Sequence, residues 1–443
     1  MKRVLFLAYL FPPIANSGTQ RPLKFVKYLA DNGWEPIVLT AAHFHGQPID
    51  PSLLDEIPKG IRVERVPMLN EQLGDLISAT LGDTALGARL GDAVRWRVQA
   101  RRRSPDLYAS WLPTALRASK KIFRDTGFDA VFATGYPWTS LLLGREVAHA
   151  TGTPFIADFR DLWAADPWPS DQRLPHEEEL AAERSVVESA AVVVCTSEKM
   201  CRLMANAHPS VDESKFVAIH NGYDAGNFAG PAAPLPGEKF RIVYTGVWKD
   251  VYNPGALYKS IDWIRRSAPD ALNDVEVIAA GFHPGEARMR GLARHIKEVG
   301  ILPHRDALAL MQSAGLLYLS HEDRDRQWAV PGKLYEYLAS GRPVIANTLA
   351  DGETARIIGR VGGARVVSPD DPGELYHALL DACRSKSVRV PPRDDNALAS
   401  FERRALTAKL ATVLSAASNR AATSAPAAPM PFATSALPPL HPR

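Results

Sequence analysis

The sequence has 443 residues, of which 46% are hydrophobic and 23% are charged, and its formal net charge is +3. These values are typical of a globular protein and exclude one built mainly to neutralise nucleic-acid phosphates. The length exceeds the size at which a single hydrophobic core stops growing, so we expect two domains.

The cysteine content indicates a reducing compartment, and the hydropathy argues against a membrane-spanning helix. Cys195, Cys201 and Cys383 have neither metal-ligand spacing nor the even number of a disulfide framework. The sequence contains no apolar run of about eighteen residues, so no transmembrane helix is expected. We therefore predict a cytoplasmic protein.

The amino-terminal segment MKRVLFLAYLFPP has two interpretations. Two basic residues followed by an apolar run resemble a short signal peptide. The same run fits a buried strand, and a helical pattern at 20–30 and a second strand at 36–40 follow at once. We prefer the strand, because the three segments together form a βαβ unit.

Apolar strand-like segments alternate with helical patterns along most of the chain. The predicted strands, in chain order, are VLFLAY, EPIVLT, RVERV, FDAVFAT, TPFIADF, AAVVVCT, FVAIHNG, FRIVYTG, VEVIAAG, AGLLYLS, RPVIANT and GARVVS. Continuous apolar strands separated by helices predict parallel sheets covered on both faces. The predicted fold class is α/β, with two doubly wound, Rossmann-like domains facing a central cleft. Ligands of such folds bind at the carboxyl ends of the strands.

Composition predicts the domain boundaries. The first domain is expected at 1–222 and the second at 239–395, with a Gly-, Pro- and Ala-rich linker at 223–238. A helix at 396–417 is expected to join the first domain. The Ala-, Pro- and Ser-rich segment 418–443 is expected to be disordered.

Two loops of the first domain follow strands and carry candidate site residues. In PPIANSGTQRP, Gly18 would let the backbone approach a ligand, although the loop is also consistent with a simple helix cap. In IADFRDLW, the charged residues Asp158, Arg160 and Asp161 follow a strand. A structural Arg–Asp pair would explain them, but charges at the carboxyl end of a strand favour a functional site in this architecture.

The first strand of the second domain is followed by YTGVWKD, where Gly246 forms a tight turn. Lys249 would reach a phosphate as a point charge, or would simply be a solvated lysine.

The segment VPGKLYEYLASGRPVIA predicts a loop, a short helix, a turn and a buried strand. Helical spacing directs Lys333 and Glu336 away from the apolar face. They are either a surface ion pair or the lining of a cleft, where an anion would meet the amino-terminal end of the helix.

Several common catalytic motifs are absent from the sequence. It contains no Walker loop, G-x-G-x-x-G, H-E-x-x-H or G-x-S-x-G pattern. Its histidines lack ligand spacing, so we predict no metal site.

Taken together, these segments resemble the family 4 glycosyltransferases, which have the two-domain GT-B fold. The resemblance extends to about residue 415 and depends on the order and spacing of five segments. They are VLFLAYLFPPIANSGTQRP, ADFRDLW, HNGYDAGNF, FRIVYTGVWKD and PGKLYEYLASGRPVIA. The family implies retaining transfer of a sugar from a nucleotide-sugar donor without a metal ion. Its second domain binds the donor and its first domain binds the acceptor.

The resemblance also implies roles for individual residues. Glu336 falls where a glutamate of the family binds the donor ribose, and a carboxylate can accept two adjacent hydroxyl groups. The positions implied to contact the donor diphosphate or its loop are Gly246, Lys249, Pro331, Gly332 and Lys333. Gly18, Thr19 and Arg21 are expected in the cleft loop on the acceptor side. No cofactor is implied beyond the nucleotide-diphosphate sugar, and a UDP-sugar is the favoured donor.

This sequence departs from the family pattern at two positions. The family has a sugar-contacting glutamate at the position of Trp328, and Glu322 is nearby but out of register. The family often has a histidine at the position of Arg160, and an arginine cannot act as a base. We expect Arg160 to hold a phosphate or sugar hydroxyl, with Asp161 orienting it. The FRD form is similar to a subgroup that acts in bacterial surface polysaccharide assembly.

The acceptor domain contains a basic insertion at 68–112, with the run RWRVQARRR at 95–103. The run would contact an anionic membrane surface, or it would be a solvated helix face. The predicted partners are a nucleotide-sugar donor and a glycan or lipid-linked acceptor. A small natural product as acceptor, and a non-catalytic nucleotide-sugar-binding subunit, are the alternatives.

Overall fold

The computed structural model describes residues 1–44, 47–80, 89–94, 97, 105–166, 177–228, 239–246, 254–281 and 285–424. Two parallel β-sheets, one of seven strands and one of six, each lie between helices. The predicted α/β class with two doubly wound domains is confirmed.

The first domain contains the seven-stranded sheet, in the order β3-β2-β1-β4-β5-β6-β7. All neighbouring strands are parallel. The strands are β1 Lys2–Leu7, β2 Trp34–Ala41, β3 Arg62–Val66, β4 Ala130–Gly135, β5 Phe155–Phe159, β6 Val192–Cys195 and β7 Phe216–Ala218. Successive side chains of β1 enter different cores: Leu5 and Leu7 join one cluster, and Val4 and Phe6 the other. Apolar residues are therefore needed on both faces of the strand.

Helices cover both faces of this sheet. They are α1 Ser17–Leu29, α2 Leu69–Thr80, α3 Leu112–Thr126, α4 Trp138–Thr151, α5 Glu177–Ser189 and α6 Glu198–Ala207. The first begins where the Asn16 side chain accepts a hydrogen bond from the Gly18 N–H at 2.9 Å. This cap satisfies a backbone donor that has no partner within the helix.

The second domain contains the six-stranded sheet, in the order β10-β9-β8-β11-β12-β13. Its strands, also parallel, are β8 Phe240–Thr245, β9 Val275–Ala280, β10 Ile296–Gly300, β11 Leu316–His321, β12 Val344–Thr348 and β13 Ala364–Val367. Its helices are α7 Gly255–Ser267, α8 Glu286–Met289, α9 His304–Gln312, α10 Lys333–Ala339, α11 Glu353–Val361, α12 Pro372–Ser385 and α13 Asp395–Ala399. Sequence patterning did not predict β10, because this edge strand is partly exposed and carries Lys297 and Glu298.

The last helix, α14 Arg403–Ser424, packs against the first sheet. Leu406, Leu410 and Leu414 lie in the same buried cluster as Val4 and Phe6. Hydrophobic burial thus fixes the carboxy-terminal helix to the amino-terminal half of the chain.

The expectation of disorder from residue 418 onward is wrong for 418–424, which are helical. The Lys2 ammonium donates to Ser418 Oγ at 3.1 Å and to Asn419 Oδ1 at 2.9 Å. These bonds hold the end of the helix beside β1. Residues 425–443 lie outside the described part of the chain.

The first residues of the predicted linker are packed rather than extended. Asp224 is buried and accepts hydrogen bonds from Lys24 Nζ at 2.9 Å, Lys27 Nζ at 2.9 Å and Tyr28 Oη at 2.7 Å. The exit of the chain from the first domain is therefore fixed on α1. Residues 229–238 lie outside the described part of the chain.

Within the described residues, no helix combines the length and the apolar character that crossing a membrane requires. In the predicted basic run, only Arg97 is described, as an exposed helical residue.

Candidate active site

The short helix α10 leaves two polar side chains partly exposed. Leu334, Tyr335 and Leu338 are buried in the second domain, whereas Lys333 and Glu336 are only half-buried. This division follows the helical period, so the predicted orientation of Glu336 away from the apolar face is observed.

Lys333 lies against the end of β8. Its Nζ donates to the Thr245 carbonyl at 3.0 Å and lies 3.9 Å from the centroid of the Tyr244 ring. Burial lowers the pKa of Lys333 to about 7, because desolvation disfavours the ammonium form. Near neutral pH this side chain can therefore take up a proton when an anion approaches.

Gly246 and Lys333, both predicted at the donor site, lie close together. Gly246 has φ of +145°, and a Cβ at this position would lie 3.0 Å from Lys333 Nζ. A residue with a side chain would be strained there and would displace the ammonium group. Lys249, the other predicted cation of this loop, lies outside the described residues.

Glu336 is paired with His304 and not with Lys333. Its Oε1 lies 3.0 Å from Nε2 of His304, the first residue of α9. Burial alone would lower the pKa of His304, but the hydrogen bond and the negative charge of Glu336 outweigh it and the pKa is raised. The surface ion pair between Lys333 and Glu336, one of the two sequence alternatives, is not formed, because the two side chains have different partners.

Pro331 and Gly332 directly precede α10, at its amino-terminal end. Gly332 is exposed, and a Cβ there would meet no atom within 4 Å. The space in front of Lys333 is therefore open.

On the side of the first domain, Arg160 and Gly18 are in direct contact. Arg160 donates to the carbonyls of Gly135, at 2.9 Å, and of Gly18 and Tyr136. A Cβ on Gly18 would lie 2.5 Å from Arg160 Nη1. The glycine thus allows a guanidinium to cross the start of α1, and the two predicted strand-end loops form one surface.

The predicted orientation of Arg160 by Asp161 is wrong. Three backbone carbonyls hold the guanidinium, whereas Asp161 is exposed and forms no ion pair with it within 4 Å. The carboxylate of Asp161 therefore faces solvent at the carboxyl end of β5.

Thr19 and Arg21 were predicted in the cleft loop, but both side chains are buried. Arg21 forms a bidentate pair with Asp158, with Nη2 to Oδ1 at 2.7 Å and Nε to Oδ2 at 3.0 Å, and also donates to the His220 carbonyl. Arg21 therefore joins α1 to β5 inside the first domain, because helical geometry turns it inward from the loop that holds Gly18.

Trp328, at the position of the family's sugar-contacting glutamate, belongs to the buried cluster of the first domain that includes Met200 and Trp163. It is 1% exposed, and its carbonyl accepts a hydrogen bond from Ser197 Oγ at 2.6 Å. Trp328 is therefore a contact between the domains.

An ionic cluster lies beside this contact. Arg356 Nη2 of α11 lies 2.6 Å from Glu198 Oε2 of α6 and 2.5 Å from Glu353 Oε1. His220 Nε2 is 3.1 Å from the same Glu198 oxygen. Glu198, His220 and Glu353 are close enough to hold a cation together, but here the guanidinium of Arg356 forms ion pairs with both carboxylates.

Two features of this surface are not among the residues predicted from the sequence. His304 is one of the histidines that lack metal-ligand spacing. Its position at the start of a helix that follows a strand is the sequence feature that indicates it. Tyr136 and Trp138 follow the end of β4 directly, so the strand-end criterion applied to Arg160 would also have found them.

Two family comparisons match most of the chain. Residues 18–222 match the glycosyl transferase 4-like domain, and residues 240–385 match glycosyl transferases group 1. The chain therefore belongs to the family 4, group 1 glycosyltransferases and is an enzyme that uses a nucleotide-sugar donor. No curated protein sequence matches the chain.

Solved structures support the GT-B fold. Sucrose-phosphate synthase from Thermosynechococcus elongatus is 15% identical, with a TM-score of 0.59 over 96% of this chain and 98% of that one. Anabaena HepE in complex with UDP-glucose is 14% identical, with a TM-score of 0.56 over 96% and 99%. The lipopolysaccharide outer core galactosyltransferase WaaB, in its apo form, is 12% identical, with a TM-score of 0.53 over 95% and 99%. At this identity the likeness establishes the fold alone.

Proposed function

We propose that this enzyme is a retaining glycosyltransferase that transfers a sugar to a glycan or lipid-linked acceptor in cell-surface polysaccharide biosynthesis. The second domain binds the donor and the first domain binds the acceptor. The reaction takes place on the cytoplasmic side, with peripheral contact to the inner membrane face. A UDP-sugar is the favoured donor, because the similar structure of HepE is a complex with UDP-glucose. The similar lipopolysaccharide outer core galactosyltransferase supports a cell-surface glycan as the acceptor.

The observation that carries the donor proposal is the grouping of Lys333, Gly246 and Glu336 at the carboxyl end of β8 and the start of α10. Lys333 supplies a cation where the donor diphosphate lies, and negative charge develops there as the glycosidic bond breaks. Gly246 leaves room for the Lys333 ammonium group, and the Glu336 carboxylate accepts hydrogen bonds from the two ribose hydroxyls.

The first domain supplies the groups that contact the acceptor. Arg160 is fixed by carbonyls and donates to an acceptor phosphate or sugar hydroxyl, and Asp161 presents an exposed carboxylate to the incoming hydroxyl group. Arg160 remains protonated and thus serves as a donor and a charge, not as a base. The transfer proceeds without a metal ion, and Lys333 neutralises part of the charge of the diphosphate.

The experiment that tests this proposal is a thermal-shift panel of UDP, GDP, TDP, CMP and their sugar conjugates without added metal. A ligand that binds the native state raises the melting temperature by mass action. We expect one nucleotide class to raise the melting temperature and Glu336→Ala to abolish that rise. An equal rise in the variant would refute the assigned site, and no rise with any nucleotide would refute the donor proposal.

A further inference from the structure

A group of aromatic side chains lies beside Arg160 at the carboxyl edge of the first sheet. Tyr108, Tyr136 and Trp138 form what we call the aromatic strip. The ring centroids of Tyr108 and Tyr136 are 6.0 Å apart, and those of Tyr136 and Trp138 are 5.9 Å apart, with both pairs edge-to-face. Tyr136 is 36% exposed and the other two are half-buried, so the strip borders solvent.

The strip rests on a rigid base. The Trp138 ring stacks on the buried Trp163 ring, with centroids 5.4 Å apart and planes 8° apart. Beneath the loop, the buried Asp106 carboxylate accepts hydrogen bonds from Thr139 N at 2.9 Å, Thr139 Oγ1 at 2.6 Å and Tyr108 N at 2.9 Å. The rings are therefore held in place before any ligand binds, which reduces the entropy lost on binding.

The strip is continuous with the proposed site of reaction. The Tyr136 carbonyl accepts a hydrogen bond from Arg160, so the guanidinium lies against the backbone of the residue that carries the exposed ring. Polar groups border the far end: Gln47 Nε2 donates to Tyr108 Oη at 3.4 Å, and Asn16 Nδ2 donates to Gln47 Oε1 at 2.8 Å.

The arrangement combines an apolar face with a polar border. Aromatic rings offer large apolar surface, and amide and hydroxyl groups around them fix the orientation of a ligand. A pyranose ring has the matching shape, with a face of C–H groups and an edge of hydroxyl groups. Rings that served only to fill the core would be covered, as Tyr9 and Trp111 are beneath the strip.

We propose that the aromatic strip is an acceptor subsite that binds an uncharged pyranose ring, stacked on Tyr136 and directed toward Arg160. This inference rests on the proposed function and adds the chemical class of the acceptor at the first domain. The three side chains of the strip are neutral, and burial raises the pKa values of Tyr108 and Tyr136, so their hydroxyls stay protonated. The strip itself thus offers hydrogen-bonding groups and apolar surface without a charge of its own, and the charged group beside it is the Arg160 guanidinium.

The test is saturation-transfer NMR with the methyl pyranosides of glucose, galactose, mannose, rhamnose and N-acetylglucosamine. We expect at least one glycoside to receive saturation from the wild-type protein, and Tyr136→Ala and Trp138→Leu to weaken its binding about tenfold or more. The matched control is Trp263→Ala, which removes a 43% exposed aromatic side chain from the second domain and is expected to leave glycoside binding unchanged. The melting temperature of each variant verifies that it is folded.

The inference would be overturned if no glycoside received saturation from the wild-type protein. It would also be overturned if a glycoside received equal saturation from the wild type and from Tyr136→Ala. The thermal shift produced by UDP is measured on the same samples. A UDP shift that persists in Tyr136→Ala while glycoside binding is lost supports the subsite. If UDP and the other nucleotides produced no thermal shift in the wild-type protein, the proposed donor function would be refuted instead. The two failures are therefore distinguishable.

Discussion

The Glu336 carboxylate of α10 accepts a hydrogen bond from the His304 imidazole of α9, with Oε1 and Nε2 3.0 Å apart. Both side chains are about one-fifth exposed, so the pair borders the cleft. One oxygen of the carboxylate is thereby oriented by the protein. His304 acts as a positioning residue for the carboxylate that we assign to the donor ribose.

Replacement of Glu336 by alanine is expected to weaken UDP binding by at least tenfold, which corresponds to about 1.4 kcal/mol. The reason is that a charged acceptor of two hydroxyl groups is lost. Isothermal titration calorimetry without metal measures the effect. Asp381→Ala, an exposed carboxylate on α12, is the control and is expected to bind UDP as wild type does. Equal affinity in the two variants would contradict the ribose role.

Lys333 predicts a pH dependence of donor binding. Its pKa is lowered to about 7, so above this pH the free enzyme carries mostly the neutral amine. A diphosphate beside Nζ favours the ammonium form and raises the pKa in the complex. Binding therefore takes up a proton, and UDP affinity is expected to fall by up to about tenfold per pH unit above pH 7.

The measurement is calorimetry at pH 8 in two buffers that differ in ionisation enthalpy. The control variant Lys333→Arg stays protonated, so its proton uptake and its pH dependence are expected to disappear. Identical proton uptake by the variant and the wild type would exclude Lys333 as the group that titrates.

Gly18→Ala is expected to lower kcat by about tenfold or more, because the added Cβ would lie 2.5 Å from Arg160 Nη1 and would displace the guanidinium. Gly359→Ala is the matched control, since a Cβ at this helical position meets no atom within 4 Å and alanine favours the helix. Steady-state kinetics and the melting temperature are measured for both. Wild-type kcat in Gly18→Ala would show that the position of Arg160 does not limit the reaction.

Asp224→Ala is expected to destabilise the protein by about 3 kcal/mol, because it leaves the buried ammonium of Lys24 with Glu56 as its remaining carboxylate partner. Burial would raise the pKa of Asp224, but Lys24, Lys27 and the Tyr28 hydroxyl outweigh it and the pKa is lowered. A carboxyl group with a lowered pKa stabilises the fold above its unfolded-state pKa and loses that contribution as pH falls.

Urea denaturation of wild type and Asp224→Ala between pH 7 and pH 4 measures both effects. The difference in the free energy of unfolding is expected to be greatest at pH 7 and to begin to narrow toward pH 4. A difference that grows as the pH falls would contradict the assigned ionic network.

Much of the fold follows from local sequence patterns. An apolar run such as VLFLAY is buried on both faces wherever it pairs, so β1 was predictable without knowledge of its neighbours. The helical period likewise directed Lys333 and Glu336 away from the core before their partners were known. The positions of Gly18 and Arg160 after strands predicted a shared edge, because parallel strands end on the same side of a sheet.

The pairing of side chains required the tertiary structure. Arg21 is three residues from Gly18, yet it turns inward to Asp158, 137 residues away in the sequence. Trp328 is adjacent in sequence to the donor loop but enters the buried cluster of the first domain. Periodicity specifies which face of an element is apolar, and it does so locally. Which distant charge or ring meets a given side chain depends on the order of strands in the sheet and on the docking of the two domains, which no local pattern encodes.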